Sequence, residues 1–216
     1  MSKVAVGHDT DGVVAPAEDP SEIRRDVEAN LTTLGVSRLA AVNLRMMADA
    51  ADEHFDAHLA MLVKLRDEGL IGGVGLSNLT RRQLLRAAGE AEIVCVQNLF
   101  NLADQRSLDV LTACTERNIA FVLFCPLGWP RGVQNQLLTA LAARLEATSA
   151  QVALAWLLDL APNILLIPGT RTRAHLTENL HAADVSLDDT ARAALARHFP
   201  SFASEPIRCT ARRGCR

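Results

Sequence analysis

Short β-branched and aliphatic runs alternate along this chain with longer segments in which apolar residues recur every three or four positions. The short runs are Leu39–Leu44, Val74–Leu76, Ile93–Val96, Ala120–Phe124 and Ile164–Ile167, with Val4–Val6 a weaker sixth. Their length and composition predict strands, and the segments between them predict about one helix per strand. Ser21–Leu34 opens on Pro20 and Ser21 and stops at Gly35, and Ala51–Asp67 runs into Glu68-Gly69, a glycine helix stop. Thr80 with Gln83 has the spacing of a capping box for the next helix. Asn135–Glu146 and Ala150–Leu160 read as helices after Pro130, and Thr190–His198 as the last.

The runs in NILLIP and IAFVLF do not alternate between apolar and polar, so both are expected to be buried on both faces, as in a parallel sheet covered by helices. Repeated strand–helix units point to an α/β barrel or a doubly wound sheet. No G-x-G-x-x-G follows any predicted strand, and Gly72, Gly73 and Gly75 enter a strand instead of opening a helix. That weakens the doubly wound, dinucleotide-binding alternative. Five strands, six with Val4–Val6, fall short of the eight of a closed (β/α)8 barrel.

Composition narrows the class without changing this picture. The 216 residues are 49% hydrophobic and 22% charged, an ordinary globular balance, and a net charge of −3 gives no footprint for nucleic acid. No apolar run is long enough to span a bilayer, and MSKVAVGHDTDG lacks the apolar stretch of a secretory leader. Five cysteines in such a chain suggest reduced thiols and a cytoplasmic setting. Cys95 and Cys125 lie in apolar runs and are expected to be small core residues.

Three short motifs have bland readings. His54 and His58 share a helix face, but HFDAH lacks the H-E-x-x-H glutamate, so an exposed histidine pair is expected. Asp9-Thr-Asp11-Gly12 starts like a calcium loop and lacks its later ligands, so a turn is expected. From Ser201 onward, four arginines face one glutamate, and residues 201–216 are expected to form a basic, disordered tail after a single domain over 1–200.

Four segments carry a resemblance. They are Gly73-Val-Gly-Leu-Ser-Asn78, Val96-Gln-Asn98, Phe124-Cys-Pro-Leu-Gly128, and Ile167-Pro-Gly-Thr170 followed by His175, Glu178 and Asn179. Each sits at the C-terminal end of a predicted strand or just beyond it, where barrel enzymes build their sites. In that order, and with QVALAWLL before NILLIPGT, the chain from Glu22 to Phe199 resembles the later part of an aldo-keto reductase. The resemblance implies an α/β fold, a partial (β/α)8 TIM barrel with parallel strands, comprising roughly strands 3 or 4 to 8. It also implies an NADP(H) cofactor and a small carbonyl substrate.

By the same resemblance, Ser77, Asn78 and Gln97 match the positions that hold the nicotinamide carboxamide, and an amide needs both donors and acceptors. The alternative for Ser77 and Asn78 is capping of the helix that starts near Thr80. Phe124 matches the aromatic that stacks on the nicotinamide; its alternative is core burial. Cys125, Leu127 and Gly128, with Pro126, match the loop beneath the pyrophosphate. Thr170, Arg171 and His175 match the receiver of the adenosine 2′-phosphate, and Glu178 and Asn179 the adenine contacts. Gly169 stands where many relatives carry a phosphate-binding lysine.

Relatives use an aspartate, a tyrosine acid, a lysine and a histidine, and this sequence contains no tyrosine. The lysine of relatives follows the third strand, and Lys3, in Met1-Ser-Lys-Val, matches as a remnant of that position; an equally good alignment takes Val4–Val6 as the strand itself and makes Lys3 irrelevant. Arg45 falls at the histidine position by direct count, with Asn43 competing; either could donate to a carbonyl oxygen and neither is an acid at neutral pH. The resemblance therefore implies an NADP(H)-dependent oxidoreductase, catalytically impaired in this truncated form. The alternatives are a non-catalytic cofactor-binding or interaction module, or an inert gene remnant. Unpaired barrel edges are expected to make the isolated chain marginal or self-associating.

Overall fold

The structure is a computed structural model that describes residues 2–8, 14–17, 19–46, 52–128 and 135–199. Its chain divides into two compact units, Met1–Asn98 and Leu99–Arg216. In order, the first unit holds β1 (Ser2–Val4), β2 (Val6–His8), β3 (Val14–Pro16), α1 (Pro20–Leu34), β4 (Val42–Arg45), α2 (Asp52–Asp67), β5 (Val74–Ser77), α3 (Arg81–Glu90) and β6 (Ile93–Leu99), whose last residue passes into the second. Strands β1, β4, β5 and β6 lie side by side in that order, all parallel. β2 and β3 form a separate antiparallel hairpin.

Register decides which residues share a face. Lys3 pairs with Asn43, Asn43 with Gly75 and Gly75 with Cys95, while Arg45 pairs with Ser77 and Ser77 with Gln97. Side chains alternate along a strand, so these seven residues occupy one face. Val4, Val42, Leu44, Val74, Leu76 and Val96, all fully buried, occupy the other. A bulge on β6 keeps this arrangement in phase: Val74 faces Ile93 but Gly75 faces Cys95, leaving Val94 extra and partly exposed.

Local chemistry sets the helix ends. Asp19 accepts the Ser21 amide at 2.7 Å before Pro20 at the start of α1, and Gly35 closes that helix at φ 64°. Gly69, at φ 82°, ends α2 as expected. Thr80 and Gln83 form the full capping box of α3, so Ser77 and Asn78 do not cap it. Val4–Val6 is not one strand: Ser2–Val4 joins the parallel sheet, Ala5 turns at φ 69°, and Val6 begins the hairpin.

The second unit contains α4 (Leu108–Glu116), β7 (Ala120–Phe124), α5 (Gln136–Arg144), α6 (Ser149–Leu160), β8 (Ile164–Leu166), α7 (Arg173–Leu180), a 3₁₀ turn (His181–Asp184) and α8 (Asp189–His198). β7 and β8 run parallel, with Phe121, Val122 and Leu123 opposite Ile164, Leu165 and Leu166. Phe121 packs edge-on against Phe100, ring centres 6.3 Å apart, and both are fully buried. IAFVLF is buried largely as expected. NILLIP is not: Leu165 is 53% and Ile167 46% exposed, two positions apart and so on one face of the run that forms β8, which is also the last strand of the sheet order among the described residues. Asp9–Gly12 and the tail 201–216 lie outside the described residues.

Candidate cofactor site

The residues predicted for the carboxamide come together in the first unit, at the C-terminal ends of β5 and β6. Ser77 and Gln97 are register partners, 1% and 6% exposed. The Ser77 hydroxyl is buried with no hydrogen-bond partner among the described residues. An unpaired buried hydroxyl costs about 1–3 kcal/mol, so its persistence calls for a ligand or another reason. Asn78 holds the left-handed conformation, φ 59°, and donates from Nδ2 to the Met46 carbonyl at 2.8 Å, leaving Oδ1 as an acceptor.

Two asparagines that sequence reasoning left without a role build these loops. Asn98 grips the chain after Ser77-Asn78, accepting the Leu79 amide at 3.2 Å and donating to the Leu79 carbonyl at 2.8 Å. Asn101 does the same work in the second unit. Its Oδ1 accepts the amides of Ala103 and Asp104, and its Nδ2 donates to the Cys125 carbonyl at 3.2 Å. The signal was the Asn pair in QNLFN, legible only once β6 and β7 are placed.

Beneath these residues lies a buried polar line. The Cys95 thiol donates to Asn43 Oδ1 at 3.2 Å, and Asn43 Nδ2 donates to Gln97 Oε1 at 3.2 Å. Burial pushes the Cys95 thiol up, which keeps the proton it donates. Asn43 is fully buried and engaged on both amide ends, whereas Arg45, at the end of β4 opposite Ser77, is half-exposed with no ion pair among the described residues. Of the two residues set against the family's histidine, Asn43 is sealed and engaged, and Arg45 is the one open to solvent. Lys3 lies opposite Asn43 on β1, on the same face and exposed, which places it on a barrel strand rather than before one.

In the second unit the remaining candidates follow β7 and β8 at their common C-terminal end. Phe124 is half-buried at the end of β7, not sealed in the core. Cys125, expected in the core, is only half-buried and takes φ 51°; with Gly128 at φ 71°, whose amide donates to the Cys125 carbonyl at 2.9 Å, it forms a tight turn carrying Leu127. Thr170, Arg171 and His175 are exposed around the start of α7, where Thr172 caps the helix through the His175 amide. Glu178 accepts from Thr148 Oγ at 2.5 Å, so its carboxylate is partly committed, and Asn179 beside it is half-buried. No clash would meet a side chain at Gly169.

The other motifs add no site. His54 is exposed, but His58 is 4% exposed, so the expected exposed pair is half sunk in the core, its rings stacked at 5.9 Å. Among the described residues no cluster could hold a metal ion, and no helix is long and apolar enough to cross a membrane.

A sequence model described as the Aldo/keto reductase family matches residues 1–198. The chain belongs to the aldo/keto reductase family. Its six parallel strands and intervening helices make it a partial (β/α)8 barrel of that fold. It is 42% identical over 193 residues to the pyridoxine 4-dehydrogenase of Escherichia coli K12, covering 88% of this chain and 68% of that protein. It is 33% identical over 173 residues to an uncharacterized oxidoreductase of Schizosaccharomyces pombe, covering 80% of this chain and 56% of that one. Among solved structures, an aldo-keto reductase of Klebsiella pneumoniae in complex with NADPH aligns at TM-score 0.74 and 25% identity, over 88% of this chain and 67% of that one. The glycerol dehydrogenase of Gluconobacter oxydans aligns at TM-score 0.80 and 18% identity over 94% and 73%, a likeness of fold alone.

Proposed function

We propose that this aldo/keto reductase chain binds NADP(H). Ser77, Asn78 and Gln97 take the carboxamide, to which a hydroxyl, an amide acceptor and an amide donor are complementary. Phe124 offers a ring for stacking. The turn over Cys125, Leu127 and Gly128 lets backbone approach the pyrophosphate, and Thr170, Arg171 and His175 receive the 2′-phosphate. Glu178 and Asn179 border the adenine. The observation that carries the reading is the Ser77 hydroxyl, desolvated and unpaired at the end of a parallel strand.

The cofactor, when bound, supplies a hydride for reduction of a small carbonyl compound. In this reading Arg45 donates to the carbonyl oxygen and offsets its growing negative charge, supported by its half-exposed position opposite Ser77, with Lys3 a second cation on the same face. Neither is an acid at neutral pH, and the sequence has no tyrosine to act as one. Catalysis by these residues alone is therefore impaired. The missing tyrosine equally favours a second reading, a module that binds the cofactor without turnover. Titrating the purified chain with NADPH, then adding a panel of aldehydes while following cofactor absorbance, separates the two. Binding with slow turnover supports the first, binding without turnover the second, and no binding defeats both.

The uncovered β8 belongs to the same reading. Leu165 and Ile167 are exposed on the last strand of the sheet order, and such an edge is a template for another chain. We propose self-association through it.

A further inference from the structure

Asn43 and Cys95 sit on strands that are not neighbours. β5 runs between β4 and β6, and the residue of β5 that pairs with both is Gly75. Adjacent strands lie about 4.8 Å apart, so two side chains across an intervening strand meet only if the middle residue leaves room. A Cβ on residue 75 would lie 1.9 Å from Asn43 Oδ1 and 2.7 Å from Cys95 Sγ. The missing side chain is the space in which the thiol reaches the amide at 3.2 Å.

This contact has a direction. A thiol that donates to Oδ1 fixes which end of the Asn43 amide is oxygen, and turns Nδ2 toward Gln97. Nδ2 then donates to Gln97 Oε1, which fixes the second amide in turn and leaves the Gln97 NH2 with no side-chain or backbone acceptor among the described residues. Without the line, a terminal amide can turn over and present either end.

We propose that Asn43 is a positioning residue which, locked by Cys95 across Gly75, sets the polarity of the Gln97 amide so that its NH2 end faces the carbonyl oxygen of the cofactor carboxamide. The inference rests on the cofactor reading above and adds a residue that acts through another. Its consequence is a selectivity: the chain recognises the carbonyl half of the carboxamide through Gln97, and an analogue that keeps the carbonyl but lacks the NH2 keeps that contact.

The test compares NADPH, 2′,5′-ADP (which lacks the nicotinamide) and the 3-acetylpyridine analogue of NADP+ (which lacks the carboxamide NH2), each titrated into the full chain. Asn43→Leu is expected to weaken NADPH about tenfold, the size of one lost hydrogen bond, and to leave 2′,5′-ADP within about twofold. Combined with Gln97→Ala it is expected to add nothing further. Cys95→Ala, a milder change, is expected to weaken NADPH about two- to threefold with 2′,5′-ADP unmoved. Asn43→Asp offers Gln97 an acceptor and so reverses its amide, and discrimination against the acetylpyridine analogue is expected to rise. Equal losses for NADPH and 2′,5′-ADP, or additivity with Gln97→Ala, would overturn the proposal while leaving the cofactor reading standing. A parent chain that binds 2′,5′-ADP but not NADPH would overturn both.

Discussion

Replacing Gly75 by alanine is the sharpest structural challenge to the buried polar line. The new methyl would stand 1.9 Å from Asn43 Oδ1, far inside contact distance, and 2.7 Å from Cys95 Sγ. Asn43 has no free space, being fully buried between β1 and β5. Overpacking of this kind costs about 1–3 kcal/mol. Driving the amide out of line removes its bonds to Gln97 and Cys95, and stranded buried polar atoms cost about another 1–3 kcal/mol. Alanine regains about 0.5–1 kcal/mol over glycine from reduced chain entropy. The net loss is about 1–5.5 kcal/mol, a substantial part of the roughly 5–15 kcal/mol typical of a domain. Urea denaturation followed by far-ultraviolet circular dichroism reads this as a fall in midpoint at constant slope. Asn43→Ala removes the atom that clashes, so the double variant should lose at least about 1.5 kcal/mol less than the two singles combined. A Gly75→Ala chain within about 0.5 kcal/mol of the parent, or a strictly additive double variant, would refute the reasoning.

Three further outcomes follow from other parts of the molecule. Arg171→Ala should weaken NADPH several-fold more than NADH, because a guanidinium at the start of α7 matters to the 2′-phosphate and not to a hydroxyl; equal losses would remove Arg171 from that role. Leu165→Glu should shift the chain toward monomer in sedimentation velocity, by charging the uncovered strand; a parent chain already monodisperse and monomeric with a cooperative melt would contradict the edge argument. Asp188, at the start of α8, is held down to about 2 chiefly by the Arg144 guanidinium, with help from the Ala191 amide. A depressed carboxyl stabilises above its ordinary range and loses that contribution as pH falls from about 3.8 to about 2. Asp188→Asn should therefore lower the melting temperature clearly at pH 6 and much less at pH 2, where the carboxyl is about half protonated, and an equal deficit at both would count against the charge.

Local chemistry was legible in the sequence where one turn contains both partners. Thr80 with Gln83, Gly35 and Gly69 mark helix ends by side chains or backbone angles that no distant residue can override. α4 escapes that logic. Ser107 makes no capping bond, and burial of Leu108, Val110, Leu111, Ala113 and Cys114 wraps apolar residues around the helix instead of along one face. The hairpin of β2 and β3 lies in a stretch whose composition signals a turn, not strands.

The site divides in the same way. That Ser77, Gln97, Phe124 and the loop after β8 lie at strand ends was legible, because there a short motif and a topology coincide. The line from Cys95 through Asn43 to Gln97 was not, since its members are 52 and 54 residues apart and meet only through register and the vacancy at Gly75. Leu165 and Ile167 misled for the opposite reason: their composition asks for burial, and only the folded structure shows that their shared face is exposed.

The central claim is that Ser77 and Gln97 hold a nicotinamide ring by its carboxamide. Its most direct measurement is a titration of the full chain with NADPH, followed by cofactor fluorescence, alongside Ser77→Ala and Gln97→Ala. Saturable binding that each substitution weakens, with 2′,5′-ADP bound equally well by all three chains, is the predicted result. NADPH binding indifferent to both substitutions, or no saturable binding by the parent chain, would contradict it.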